Sequence, residues 1–386
     1  MTRLTSVQRH IQAFAAEFSL DDEIIHLNHA AVGPWPTRTV DTIKHFAEEN
    51  LRLGSKHYLR WLEQETSLRH QIASLINAAS HESIALVKNT SEALSFVAYG
   101  LEWKSGDNVV ITNAEFPFNH VVWESLANQG VELRIADTRP GSGQDPEASI
   151  LEQCNEKTRL VSVSSIQYST GLKLDLNILG EFCKQRNILF CIDSIQSVGA
   201  VPFDVQASQA DFAMADGHKW MLAPEGLGFF YCRADIMHKI KLREFGWHML
   251  ENMGGYNDKS WEPAHTARRF ECGSPNLLCV HALSASLSLL LDAGMDAVYA
   301  ALRDNVQFML DLIESDDRLE LHSPASADRL GGIVVFSHRE KNTDSLYRHL
   351  QKNNVLCAPR GAGIRFSPHF YTPRERIQKA FEIVLG

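Results

Sequence analysis

The chain has 386 residues and 44% hydrophobic content, enough to bury a large core and to form two domains, one of them large. A formal net charge of −10, with no dense Lys/Arg block, argues against nucleic acid as a partner. No apolar run approaches the roughly 18 residues that a membrane helix needs, so no membrane partner is expected. In chain order, Met1 to Leu20 carries Arg3, Arg9 and Glu17 among apolar residues at helical spacing, which predicts a surface helix rather than a signal peptide. From about residue 83 to 233, short apolar runs alternate with longer amphipathic ones, the rhythm of a parallel sheet covered by helices on both faces. Strands are expected at Ile84 to Val87, Asn108 to Thr112, Leu160 to Ser164, Ile188 to Asp193, Phe212 to Ala215 and Leu227 to Cys232. Helical patterns lie between them, at Glu92 to Tyr99 and Leu176 to Arg186. Beyond about 270 come helices at Leu277 to Leu291 and Met295 to Ile313, a strand at Gly332 to Phe336 and a helix at Thr343 to Gln351. A strand at Ile364 to Ser367 and a helix from Pro373 close the chain. The expected class is α/β, with a large domain over 25–265 and a smaller α+β domain from 1–24 and 266–386.

Seven cysteines are scattered without a Cys-x-x-Cys pair, which reads as reduced, buried thiols of a cytoplasmic protein rather than a disulfide frame or zinc knuckle. His26 and His29 lack a clear further ligand, and Gly226-Leu227-Gly228 lacks the third glycine of a dinucleotide loop, so neither metal nor dinucleotide is expected.

Lys219 lies in Gly217-His218-Lys219-Trp220, 26 positions after Asp193, which closes the apolar run Ile188 to Ile192. A lysine in a polar turn is ordinarily solvated. An aspartate ending a buried parallel strand stands where ligands of open α/β sheets collect. Together they suit pyridoxal 5'-phosphate: the lysine as Schiff base, the carboxylate as partner of the protonated pyridine nitrogen. A cofactor phosphate needs a helix N-terminus, and Asn89-Thr90-Ser91-Glu92 offers one, with Thr90 or Ser91 supplying a hydroxyl; the plainer reading is an ordinary helix cap. Phe116 is the candidate to stack on the ring, against a core phenylalanine as the alternative. Gln167, Tyr168 and Gln196 are candidate donors to the phenolic oxygen. Arg365, flanked by apolar residues, is the candidate for a substrate carboxylate, and Arg269 a weaker one; structural ion pairs, with Glu271 for Arg269, are the alternatives. Trp247, His248, Tyr256 and Arg360 are candidate linings for a substrate side chain.

These segments, in this order, resemble the class V aminotransferase family of fold-type I pyridoxal-phosphate enzymes, including cysteine desulfurase and isopenicillin N epimerase-like branches. The resemblance begins at Leu27-Asn28-His29-Ala30-Ala31-Val32-Gly33-Pro34 and runs through Asn89-Thr90-Ser91-Glu92-Ala93, Glu115-Phe116-Pro117-Phe118-Asn119 and Ile192-Asp193-Ser194-Ile195-Gln196. It continues through Asp216-Gly217-His218-Lys219-Trp220 and Arg269-Phe270-Glu271-Cys272-Gly273-Ser274-Pro275-Asn276 to Ile364-Arg365-Phe366-Ser367-Pro368. It implies a homodimer with the active site at the subunit boundary, where Ser274 is lent to the neighbour's cofactor phosphate. His218 would reach that phosphate, Arg365 would bind the α-carboxylate of an amino-acid substrate, and Asn28 and His29 would stand on the substrate side.

The chain departs from the desulfurase members in three places. They carry a histidine where this chain has Phe116, and a mobile loop with a persulfide-forming cysteine shortly before the carboxylate-binding arginine. Here Cys357 to Arg365 is too short for that loop, and Cys357 falls in an apolar, strand-like stretch. Asp216 stands where many relatives have a serine or threonine facing the phosphate, and an acidic side chain is repelled there unless it points away. The expected activity is therefore transamination. Epimerisation and carbon–sulfur lysis are the alternatives on the same lysine, and a non-catalytic regulator that binds the cofactor is the rival from another class.

Overall fold

In the computed structural model the described residues are 6–141, 143–254 and 260–386, without the side chains of residues 6–9 and 12. Tyr256 therefore lies outside them. Seven strands form the main sheet, in the order Ile84–Val87, Gly228–Cys232, Phe212–Asp216, Leu189–Asp193, Thr158–Ser164, Asn108–Thr112 and Glu132–Ala136. All run in one direction except Gly228–Cys232, which is antiparallel to both neighbours. The expected mixed α/β fold with a mostly parallel sheet is what forms. Six strands fall within two residues of the positions read from the sequence; the seventh, Glu132–Ala136, was missed.

Strand alternation gives this sheet two apolar faces. Phe190 and Ile192 join one core cluster while Cys191 joins the other, and Phe212 and Met214 oppose Ala213 and Ala215 in the same way. Phe230 is fully buried among Phe96, Phe212 and Phe270, so Phe230→Ala would cost about 3–5 kcal/mol by the usual cavity penalty. Helix Leu277–Ala293 is buried on most sides because helices Thr37–Leu53 and Tyr58–Leu75 pack against it. No single helix among the described residues is long and apolar enough to cross a membrane.

A second, antiparallel sheet has the order Ala358–Arg360, Gly363–Phe366, Val334–His338, Leu319–Leu321. The segment Ile25–His26 pairs in parallel with Val355–Leu356, and Asn28 bridges to Ser367. Residues 25–28 are thus tied to the C-terminal part of the chain, and this strap brings Asn28 beside Arg365.

Candidate active site

Because the parallel strands share one direction, their carboxyl ends line up on one edge of the sheet. Asn89, Thr90 and Ser91 follow the first strand, Phe116 follows Asn108–Thr112, and Tyr168 follows Thr158–Ser164. Gln196 follows Leu189–Asp193, and His218 and Lys219 follow Phe212–Asp216. All of these, with Asp216, Glu225, Arg360 and Arg365, line one cavity of about 400 Å³.

The turn bearing Lys219 is clamped by backbone contacts. Gly217 donates to Leu227 O and Ala223 to Gly217 O, while Gly33 donates to His218 O. A Cβ on Gly33 would sit 2.4 Å from Lys219 O, so only glycine lets the two segments approach. Gly199, at φ +93°, likewise passes 2.3 Å beneath Trp220 O, measured from where a Cβ would be. The Lys219 amine lies 5.8 Å from the centroid of Phe116, whose ring is partly exposed to the cavity and meets Tyr168 edge-on at 5.0 Å.

Asp193 is buried and does not itself line the cavity; its Oδ1 accepts Ile195 N–H at 3.0 Å, and Ser164 Oγ approaches Oδ2 at 3.5 Å. Burial pushes the Asp193 carboxyl up, and burial pulls the Lys219 amine down, each opposed by the charge of the other. Gln196 is held in a fixed sense: its Oε1 accepts the Trp220 indole N–H at 2.8 Å and its Nε2 donates to Ala30 O at 3.1 Å. One amide N–H of Gln196 is left for the cavity.

Two guanidiniums meet at the other end. Arg365 is 1% exposed, donates to Tyr168 O at 3.1 Å and Asn28 Oδ1 at 3.4 Å, and has its Nε buried without an acceptor. Arg360 donates to Pro359 O, packs over Tyr168 and likewise has an orphaned buried Nε. Burial, then the proximity of Arg360, pulls Arg365 down to about 9. The pocket is short of negative charge at this end, which suits an anionic ligand.

Several candidates stand elsewhere. His29 is fully buried, bonded to Ser367 O and Tyr371 OH, and does not line the cavity; its substrate role is corrected to a packing one, because both ring nitrogens are spent inside the protein. Asn28 reaches the cavity only through Arg365. Arg269 is outside the cavity wall of this chain, and Glu271 pairs with Arg69 at 2.7 Å instead. Ser274 lines a separate pocket with Lys88, Glu92 and Glu244. His248 is no pocket lining, since it is buried between Glu65 and Glu271, 3.4 Å from each. Glu65, His248 and Glu271 lie close enough together to hold a metal, but the Arg69 guanidinium already pairs with both carboxylates. Gln167 also turns inward, to Thr112 and Glu115. Sequence reasoning missed Glu115 itself, a buried carboxylate that accepts from Thr112, Asn119, Ser164 and Gln167 and so braces the loop carrying Phe116. Its only sequence signal is an acidic residue three positions after a buried strand.

Cys357 is 3% exposed and does not line the cavity, and burial pushes its thiol up to about 12. Among the described residues no cysteine lines that cavity.

Residues 25–377 match the family model for class-V aminotransferases. A cysteine desulfurase of Haloferax volcanii is 30% identical, over 91% of this chain and 81% of its own length. A probable cysteine desulfurase of Methanothermobacter thermautotrophicus is 29% identical, over 92% of each. Among solved structures, a cystine C–S lyase in complex with its reaction product cysteine persulfide superposes with a TM-score of 0.87 at 22% identity, over 94% of this chain and 98% of its own. An apo cysteine desulfurase of Thermococcus onnurineus gives 0.86 at 20%, over 96% of each. The chain belongs to the class V aminotransferase family, whose members are pyridoxal-phosphate-dependent enzymes of fold type I.

Proposed function

We propose that the cavity holds pyridoxal 5'-phosphate on Lys219 and that the protein transaminates an α-amino acid. The observation that carries this reading is a desolvated amine lining the cavity that interacts electrostatically with a carboxylate buried behind the cavity wall, at the end of the adjoining strand. The donor set fits the cofactor. Asp193 has one short hydrogen bond and unused acceptor capacity in a dry site, which suits a pyridinium N–H. Thr90, Ser91 and His218 suit the phosphate, Phe116 the ring face, and Gln196 and Tyr168 the phenolic oxygen. Ser274, outside this chain's own cavity, is offered to the neighbouring chain of a homodimer.

When bound, the cofactor supplies an electron sink for the pair left behind by a broken Cα–H bond. Lys219, with its amine pulled down toward neutrality, would take that proton from Cα and deliver it to the cofactor's C4' carbon. Asp193 would accept the N–H of the cofactor's ring nitrogen and so favour its protonated form. Arg365 fixes the α-carboxylate with its fork, so that the Cα–H faces Lys219.

A second reading, carbon–sulfur lysis, is favoured by the names of the relatives and of the matching lyase structure. The buried, high-pKa Cys357 argues against passing sulfur to an enzyme thiol, so such a lyase would release it. Incubating the yellow holoprotein with single amino acids separates the two. Keto acid with conversion of the cofactor to its amine form supports transfer; sulfide release, with the cofactor left in its aldehyde form, supports lysis. A colourless protein that takes up no pyridoxal phosphate rejects both.

A further inference from the structure

Asp216 ends the strand Phe212–Asp216, and its Oδ1 accepts Thr90 N–H at 2.6 Å. That is the first amide of helix Thr90–Gly100, the kind of donor a bound phosphate uses. Thr90, Ser91, Asp216 and His218 line the same cavity, so a phosphate seated there meets a protein anion already on the helix terminus. The carboxylate is not free to swing away. It is 9% exposed, and Gly228 on the neighbouring strand lies so close that a Cβ there would sit 3.1 Å from Oδ1.

The groups around it do not offset a second anion. From its own turn, His218 Nδ1 stands 3.7 Å from Oδ2, but burial first and Lys219 second pull that imidazole down to about 4, leaving it neutral at pH 7. Lys219 supplies positive charge, yet its amine is the cofactor's point of attachment in the reading above. Glu225, across the loop, adds negative charge, the Thr90–Gly100 helix faces Asp216 with the Thr90 amide, and the next strand faces it with Gly228. Burial is the largest influence and raises the Asp216 carboxyl to about 6; the Thr90 amide and Lys219 oppose it, and a phosphate would raise it further.

Resting on the reading of this cavity as a pyridoxal-phosphate site, we propose that Asp216 is the proton-bearing donor of the phosphate cradle. It loads as a neutral carboxylic acid, its O–H donating to a phosphate oxygen while the other oxygen keeps the Thr90 amide. Capture of the phosphorylated cofactor then takes up one proton and weakens as pH rises.

Pyridoxine 5'-phosphate, which has no aldehyde, probes the phosphate end without the chemistry of Lys219. Calorimetry of the full-length protein, stripped of cofactor, at pH 8 in buffers of different ionisation enthalpy should show uptake of close to one proton. Its affinity should fall about tenfold per pH unit between 7.5 and 8.5. Asp216→Asn and Asp216→Thr, neutral donors at every pH, should take up close to one proton less than wild type and lose about tenfold per pH unit of the slope, a difference that also subtracts titration of the probe and of the free Lys219 amine. No proton uptake by the wild type, or the same slope in a folded variant, overturns the proposal. So does failure to bind the probe in a protein that turns yellow with pyridoxal phosphate. The cofactor reading fails separately, if that yellow absorbance never develops, or if Lys219→Ala keeps the absorbance of a lysine-linked cofactor with the same resistance to removal by dialysis.

Discussion

Replacing Arg365 with alanine tests which end of the substrate the cavity grips. The guanidinium is buried, spends two donors on Tyr168 O and Asn28 Oδ1, and leaves Nε without an acceptor. Burial and the neighbouring Arg360 depress it to about 9, so a counter-anion is favoured there. Truncating one partner of a buried, hydrogen-bonded charge pair costs about 2–5 kcal/mol, so about 3 kcal/mol is a reasonable expectation for the α-carboxylate. That corresponds to a loss of affinity of about a hundredfold. The assay is titration of the cofactor absorbance of holoprotein with an amino acid and with the matched amine that lacks the carboxylate. Arg365→Ala should weaken the first by about a hundredfold and leave the second nearly unchanged, whereas Arg365→Lys should recover part of the loss, since it restores charge without the planar fork. A variant that still prefers the acid over the amine by the wild-type ratio would refute the assignment. Equal weakening of both ligands would point to a damaged cavity instead.

Arg360→Gln should raise KM more for amino acids with an acidic side chain than for neutral ones, because the second guanidinium lines the same cavity without a carboxylate partner among the described residues; equal effects on both classes, measured by steady-state kinetics, would count against it. Cys357→Ser should keep turnover within about twofold of wild type, since the thiol is buried and pushed up to about 12; loss of sulfide release in this variant would make the thiol an acceptor after all. His248 is raised to about 9, because Glu271 and Glu65 outweigh the larger opposing influence of burial. Its folded value exceeds the unfolded value near 6.5, so its contribution is full below pH 6.5 and is lost as pH rises through 9. Urea unfolding of His248→Gln should therefore show about 3 kcal/mol less stability than wild type at pH 6.5 and a smaller difference at pH 9; a difference that grows with pH would be the wrong sign.

Local motifs were legible and long-range pairings were not. Lys219 and Asp193 could be read because Asp193 ends a short, mostly buried strand and Lys219 follows another by three residues, and such runs leave a continuous apolar signature. Glu132–Ala136 escaped because it is an edge strand with only Ala136 buried, so its apolar residues do not form a run. Helices Thr37–Leu53 and Tyr58–Leu75 were missed because the first buries only Thr39 and both take their packing from helix Leu277–Ala293, more than 200 positions away. His248 read as a pocket residue because its partners Glu65 and Glu271 lie far off in sequence, and His29 because Ser367 and Tyr371 do. Which way Asp216 points depends on Thr90, 126 positions earlier.

The buried carboxylates differ in what balances them, and that difference locates the chemistry. Glu271 is neutralised by Arg69 and takes the Leu86 amide at 2.8 Å. Glu147 pairs with Arg329 and takes the Asp175 amide. Asp211 pairs with Arg233 at 2.9 Å and takes the Phe190 amide at 2.8 Å. Glu115 has no cation within pairing distance among the described residues but is wrapped by donors from Thr112, Asn119, Ser164 and Gln167. Each of these four is satisfied by the protein itself and has no need of a ligand. Asp193 has one short amide contact, a distant hydroxyl and the field of Lys219. A carboxylate so buried and so sparsely donated to is costly unless a cation completes it, and it interacts electrostatically with the amine that lines the cavity. The same comparison distinguishes Asp216, whose one backbone donor is shared with the place a phosphate would take. One under-satisfied anion therefore calls for a cation and another for a proton, and pyridoxal 5'-phosphate carries a protonatable nitrogen at one end and a phosphate at the other.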